Sequence, residues 1–148
     1  MARLESLLLS IWIGGMIAIG YLAAPVLFTQ LEDRALAGAL AGEMFSWVSH
    51  IGLFCGALLL VLMVLTSKQV LLRAWRFWVL LIMVACIASL LYVVQPMMAQ
   101  LKLEGLVPGT EAARQFGTLH GVSSVLYLVT SVFGVILILA GMRPKTRM

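Results

Sequence analysis

The chain has 148 residues, of which 63% are hydrophobic and only 11% charged, with a formal net charge of +4. Four stretches without any Asp, Glu, Lys or Arg occupy most of it, at residues 6–31, 44–67, 77–101 and 115–142. Each exceeds the roughly 20 apolar residues needed to cross a bilayer core of about 30 Å. This composition excludes a soluble globular protein, and we expect residues 1–148 to form a single transmembrane domain.

The spanning segments are predicted to be helices. Hydrocarbon offers no water to hydrogen-bond the backbone, so only helices and closed β-barrels span a membrane. Barrel strands show short alternating segments, and these long apolar runs do not alternate. The sequence therefore predicts an all-α integral membrane protein, a four-transmembrane-helix bundle, with helices over about 5–29, 34–67, 72–97 and 110–141.

Basic residues indicate the topology of the bundle. Seven lie before helix 1, in the second connection and after helix 4, and three lie in the first and third connections. The seven are Arg3, Lys68, Arg73, Arg76, Arg143, Lys145 and Arg147, and the three are Arg34, Lys102 and Arg114. An excess of Lys and Arg marks the cytoplasmic side. The pattern predicts a multi-pass protein of the cell inner membrane with both termini cytoplasmic, and no nucleic-acid partner.

Local signals mark the ends of the helices. Asp33 is expected to cap helix 2, Pro108 and Gly109 to form a turn, and Thr110 to cap helix 4. Pro25 and Pro96 are expected to end or kink helices 1 and 3, because proline lacks the N–H that a helix interior requires.

Several residues recur at a nearly constant offset, which predicts a tandem repeat. Tyr21 and Pro25 recur as Tyr92 and Pro96, and Phe45 recurs as Phe116, all with an offset of 71. His50 and His120, the two histidines of the chain, are offset by 70. The repeats would cover about residues 5–67 and 72–141. Because each unit crosses twice, both copies have one orientation and would be related by a pseudo-twofold axis along the membrane normal.

The two histidines are the candidate ligands of a metal centre. Both lie just inside the outer boundary of their spans, and the pseudo-twofold axis would bring His50 and His120 face to face. Paired imidazoles on facing helices are typical axial ligands of haem iron and also bind copper. The alternative is that each histidine hydrogen-bonds a neighbouring helix and is purely structural.

Other residues at the same level extend this hypothesis. Met97 and Met98 carry thioethers that suit Cu(I), so they join the histidines as candidate metal ligands. Tyr21 and Tyr92 are typical of an aromatic belt at the membrane interface, and they are also candidates to hydrogen-bond the histidines or a cofactor. The spans are expected to contain no buried Asp or Glu, and no Ser/His/acid set is found, so hydrolysis is not indicated.

Short motifs carry a resemblance to known membrane families. The chain resembles the four-span proteins related to transmembrane protein 205 in its Trp12-Ile13-Gly14-Gly15 and Ala24–Phe28 segments, Pro96 and His120. The Trp-x-Gly-Gly motif is also similar to that of the copper-resistance D and haem-linked membrane proteins. This resemblance implies a four-helix inner-membrane protein linked to metal or haem, and it implies no particular reaction.

The leading hypothesis is that a haem b or copper ion lies between His50 and His120 near the outer face. The protein would serve electron transfer, with a quinone or a periplasmic redox partner, or metal handling. Besides the surrounding lipid bilayer, small-residue helix faces make a homo-oligomer plausible. The alternative is a metal-free permease, channel or assembly factor whose histidines are structural.

Overall fold

The computed structural model describes residues 2–66 and 74–140. Within these ranges the chain forms four long helices. α1 runs as α-helix over Ala2–Ile17, as π-helix over Ala18–Ala23 and again as α-helix over Ala24–Gln30. α2 covers Arg34–Thr66. α3 comprises Trp75–Ser89, a π-helical segment Leu90–Val94, and Gln95–Glu104. α4 covers Glu111–Ala140.

The helices form a four-membered bundle in which chain neighbours are also neighbours in space. α2 packs beside α1 and α3, α4 packs beside α3, and α4 closes the ring against α1 through the least extensive contact. α1 and α3 therefore lie on one diagonal, and α2 and α4 lie on the other. The end that carries the first and third connections, predicted to face outward, is here called the outer end.

All four helices are long and apolar enough to cross a membrane within the described part of the chain. The candidate spans are Arg3–Gln30, Arg34–Leu65, Trp75–Glu104 and Glu111–Ala140. The predicted fold class, an all-α four-helix bundle of a multi-pass membrane protein, is confirmed. The basic residues Lys68, Arg73, Arg143, Lys145 and Arg147, on which much of the predicted orientation rests, lie outside the described residues.

The predicted helix caps and turn are confirmed. Asp33 Oδ1 accepts hydrogen bonds from the backbone N–H groups of Ala35 and Leu36 at 2.8 and 3.1 Å. Thr110 Oγ1 accepts one from the Ala113 N–H at 3.3 Å. Gly109 has a φ of +89°, which glycine adopts without steric cost in the turn before α4.

Pro25 and Pro96 were expected to end or kink their helices, and neither proline ends its helix. α1 continues beyond Pro25 to Gln30, and α3 continues beyond Pro96 to Glu104, past the predicted end near residue 97. In both helices a π-helical segment directly precedes the turn that contains proline. A π-turn changes the hydrogen-bond register by one residue, which makes room for a ring that would otherwise clash with the preceding turn.

The two π-helical segments occupy corresponding places in α1 and α3. Their last residues, Ala23 and Val94, have the same offset of 71 as the tyrosines and prolines. This backbone feature agrees with the proposed duplication. The division into repeats at about 5–67 and 72–141 stays a prediction.

α1 is held in the bundle by large side chains that lie on glycines of its neighbours. Trp12 is fully buried, and its indole occupies the space beside Gly52 and Gly56 of α2. Ile13 lies in the same way against Gly134 of α4. Trp12 Nε1 has no hydrogen-bond partner among the described residues, so packing alone sets the position of the indole.

A buried tyrosine ties α4 to the π-helical segment of α1. Tyr127 is 8% exposed, and its hydroxyl donates a hydrogen bond of 2.7 Å to the backbone oxygen of Met16. The ring lies directly against Gly20, where a Cβ atom would collide with it. Phe45 of α2 meets the same ring edge-on, with 5.1 Å between centroids. Tyr127 thus links three helices at the level where the outer half of α1 begins.

We predict that Gly52→Ala lowers the free energy of unfolding by about 1–3 kcal/mol, because the added methyl group must displace the Trp12 indole. Gly14→Ala is the matched control, since no atom lies within 4 Å of the position of its Cβ. This control should lose no stability. Unfolding in mixed detergent micelles, followed by circular dichroism, measures both, and equal losses would contradict the packing described here.

We also predict that Tyr127→Phe destabilises the protein by about 1 kcal/mol, because the Met16 carbonyl loses its partner on α4. Tyr92→Phe is the control, since Tyr92 is 65% exposed on α3. The same unfolding titration compares the two variants. A loss for Tyr92→Phe as large as that for Tyr127→Phe would show that the buried bond contributes nothing.

Candidate functional site

The two histidines lie at different depths in the bundle. The ring of Phe45 on α2 lies 5.1 Å from that of Tyr127 on α4, so these two residues are level with each other. His50 is five residues further inward than Phe45, and His120 is seven residues further outward than Tyr127, which separates their levels by about 18 Å along the helix axes. His120 therefore lies near the outer end, whereas His50 lies at the middle of Arg34–Thr66, and the two imidazoles do not share the level that the sequence predicted.

The ring of His50 is held in one tautomer by its own helix. Its Nδ1 atom lies 2.8 Å from the backbone oxygen of Ser46. Because a carbonyl oxygen only accepts hydrogen bonds, Nδ1 carries the proton and donates it, which leaves the lone pair on Nε2. A histidine oriented in this way by a backbone carbonyl is typical of metal ligands.

His50 lies on the outward face of α2. Phe45, which contacts Tyr127, marks the face that points into the bundle. Five residues along an α-helix amount to a rotation of about 140° from that face. His50 is accordingly exposed, and the neighbouring Trp47 and Phe54 are exposed to 69% and 68%.

His120 has different surroundings on α4. Its ring stacks on that of Phe116, with 6.4 Å between centroids and an interplanar angle of 9°. The ammonium group of Lys102 lies 5.8 Å from the centre of the Phe116 ring. No atom lies within 4 Å of the Cβ positions of Gly117 and Gly121, so the space beside His120 is open.

The structure does not bring His50 and His120 to the same face. His120 precedes Tyr127 by seven residues and shares its inward direction within about 20°. His50 points away from the bundle, and α2 and α4 lie on a diagonal. Coordination of one shared atom within one chain gains no support from this arrangement, and it stays a prediction.

A one-residue difference between the predicted repeats accounts for the different directions of the two histidines. Phe45 and Phe116 are offset by 71, whereas the histidines are offset by 70, so His50 is five residues after its phenylalanine and His120 is four. One residue rotates a side chain by about 100° around an α-helix. His120 therefore stacks on Phe116, and His50 turns away from Phe45.

The remaining candidate residues are distributed around the outer end. Tyr21 is 50% exposed, with its ring centroid 6.3 Å from that of Tyr127. Tyr92 and Met97 are 65% and 47% exposed, and Met98 packs against the buried core. Within the described ranges, no three His, Cys, Asp or Glu side chains form a cluster that could hold a metal ion. The assignment of these side chains to a metal or cofactor stays a prediction.

One buried carboxyl group was missed by the sequence analysis. Glu5, near the inner end of α1, is only 2% exposed, so the expectation of no buried acidic residue is wrong. The charge-free stretch begins one residue later, but α1 already begins at Ala2, and the helix turns Glu5 into the bundle. The only available signal was its position one helical turn before the inward-facing Leu8 and Leu9.

Comparison with known proteins identifies a family but no individual relative. A family model described as a domain of unknown function, DUF4149, matches residues 7–106, a range that includes His50 and excludes His120. No curated protein and no solved structure matches the chain. The resemblance to transmembrane protein 205 and to the copper-resistance D proteins therefore stays a prediction. Because the matched range covers more than half of the chain, this protein belongs to the DUF4149 family.

Proposed function

We propose that this protein is an inner-membrane protein that binds a haem b or a copper ion through histidine, for electron transfer or metal handling. The observation that carries the proposal is the hydrogen bond between His50 Nδ1 and the Ser46 carbonyl oxygen. It leaves Nε2 unprotonated and directed away from the bundle. A neutral imidazole nitrogen of this kind is the commonest metal ligand in proteins.

The surroundings of His50 suit such a ligand. The Ser46 carbonyl group orients the ring without using a side chain, and such an outer-shell partner raises the basicity of the ligating nitrogen. Trp47 and Phe54, three residues before and four after His50, lie one turn away on either side. Their rings would limit the access of water to an ion at Nε2. When bound there, haem iron or copper would supply one-electron chemistry.

The other candidates are assigned by position. His120 is the second candidate ligand, because its ring lies at the outer end with open space beside Gly117 and Gly121. Tyr21, Tyr92, Met97 and Met98 remain candidates for further contacts to the ion or cofactor. The position of His120 near the outer end favours exchange of electrons or metal with a periplasmic partner, and the exposed position of His50 within the span favours exchange with a membrane quinone.

A metal-free assembly factor is the second candidate function. It is favoured by the fact that each histidine already has a partner on its own helix, the Ser46 carbonyl oxygen for His50 and the Phe116 ring for His120. A permease or channel path through one chain is less well supported, because Trp12, Leu59, Leu80 and Leu137 fill the bundle completely at 0% exposure.

We predict that protein purified from cells supplied with iron and a haem precursor absorbs in the visible range, or that it contains copper by elemental analysis. His50→Ala should reduce the bound cofactor or metal at least tenfold, because the ion loses its imidazole ligand. Val61→Ala is the control, since Val61 is 52% exposed on α2 and lies about three helical turns further inward than His50. His120→Ala tests the second ligand. Colourless, metal-free protein from several expression hosts would contradict the proposal and favour the assembly factor.

A further inference from the structure

The outward face of α2 carries an exposed group of large side chains around His50. Trp47, His50, Ile51 and Phe54 follow the spacing i, i+3, i+4 and i+7, which places them on one side of the helix. The exposed fractions of Trp47, Ile51 and Phe54 are 69%, 44% and 68%. These four residues are here called the His50 face.

The imidazole on this face has an unmet requirement. In the neutral ring, Nε2 of His50 is a hydrogen-bond acceptor within the membrane span, at the middle of α2, and the Ser46 carbonyl oxygen is a partner of Nδ1 alone. Ionisable side chains within membrane spans usually face a bundle interior or a specific partner. The partner of Nε2 must come from outside this chain, because His50 points away from the other three helices.

A second copy of the chain satisfies this requirement in a specific way. In a twofold-symmetric dimer the same surface patch lies on both subunits, so a residue near the axis faces its own counterpart. Two Nε2 atoms with lone pairs cannot hydrogen-bond to each other, since both are acceptors. They repel unless a group that satisfies both lone pairs lies between them, and a metal ion that binds two neutral imidazoles in line is such a group.

We propose that two copies associate through the His50 face, and that their two His50 Nε2 atoms bind one haem iron or copper ion on the twofold axis. This inference rests on the proposed function, and it assigns the second ligand of the metal to His50 of the other chain. His50 would thus pair with its counterpart in the second chain instead of with His120 of its own chain. Metal–imidazole bonds of about 2.0–2.1 Å place the two Nε2 atoms about 4 Å apart.

The neighbours of His50 support such an interface. Trp47 and Phe54 would pack against the partner or against a porphyrin on either side of the axis, and aromatic residues of this kind dominate the binding energy of many interfaces. Glu43 is exposed seven residues before His50, on the same side of α2 toward the outer end. A pair of Glu43 carboxylates at the rim of the dimer would attract a metal cation that approaches from outside.

Thiol cross-linking of the full-length protein in membranes tests the interface. Ile51→Cys places a thiol on the His50 face, and Val132→Cys is the matched control on α4. Both residues are exposed, at 44% and 46%. Ile51 is six residues after Phe45 and Val132 is five residues after Tyr127, whose rings are in contact, so both thiols lie at about the same depth. The parent chain, which retains its own Cys55 and Cys86, supplies the background. With a short bifunctional maleimide, we expect Ile51→Cys to yield at least fivefold more covalent dimer than Val132→Cys. Equal yields would overturn the interface.

The stoichiometry of the bound ion tests the shared site. Purified dimer should contain one haem or one copper ion per two chains. Wild-type and His50→Ala chains co-expressed in equal amounts should retain about a quarter of the two-histidine absorption, because only dimers with two wild-type chains keep both ligands. Half retention, or one ion per chain, would overturn the shared site.

The two experiments separate the inference from the function on which it rests. Strong cross-linking at residue 51 in protein without haem or copper would leave the dimer interface standing but overturn the metal site and the proposed function. One ion per chain without cross-linking would support the proposed function and overturn the dimer.

Discussion

The bundle depends on the close approach of α1 to the helices beside it. Trp12 lies on Gly52 and Gly56 of α2, and Ile13 lies on Gly134 of α4. Lipid is as apolar as these side chains, so the hydrophobic effect cannot hold helices together within the membrane, and tight packing must do so. The glycines provide the space for that packing. All other relations between the helices, including the level at which the outer half of α1 separates from α4, follow from this arrangement.

Above this packed layer, proline and the π-helical segments shape the outer end. The outer half of α1 packs beside α2 and that of α3 beside α4, and Tyr127 bridges α4 to α1 where the two regions meet. A hydroxyl bonded to a main-chain carbonyl resists separation of the helices at that point. His120 lies outward of the Tyr127 bridge and His50 lies inward of it, and the two helices present their histidines in different directions.

The functional proposal follows from that direction. His50 is oriented by the carbonyl of Ser46 and presents its lone pair to the membrane, whereas His120 stacks on Phe116 over the mouth of the bundle. A site that needs two identical imidazoles is most simply completed by two identical chains. Exposed aromatic side chains such as Trp47 and Phe54 are ordinary on a lipid-facing surface. Here they also lie beside the nitrogen proposed to bind the metal, where they would pack against the second chain.

The sequence by itself determined the membrane architecture, the four helices and the caps at Asp33 and Thr110, because hydropathy and capping chemistry are local properties. It could not decide which side chains meet. The continuation of α1 and α3 through proline, the burial of Glu5 and the central position of Tyr127 depend on neighbouring helices. The pairing of His50 with His120 stays a prediction that the arrangement does not support. An offset of 70 instead of 71 looks negligible along the chain, yet it turns a side chain by about 100° around a helix. Only the assembled bundle shows which way that rotation points.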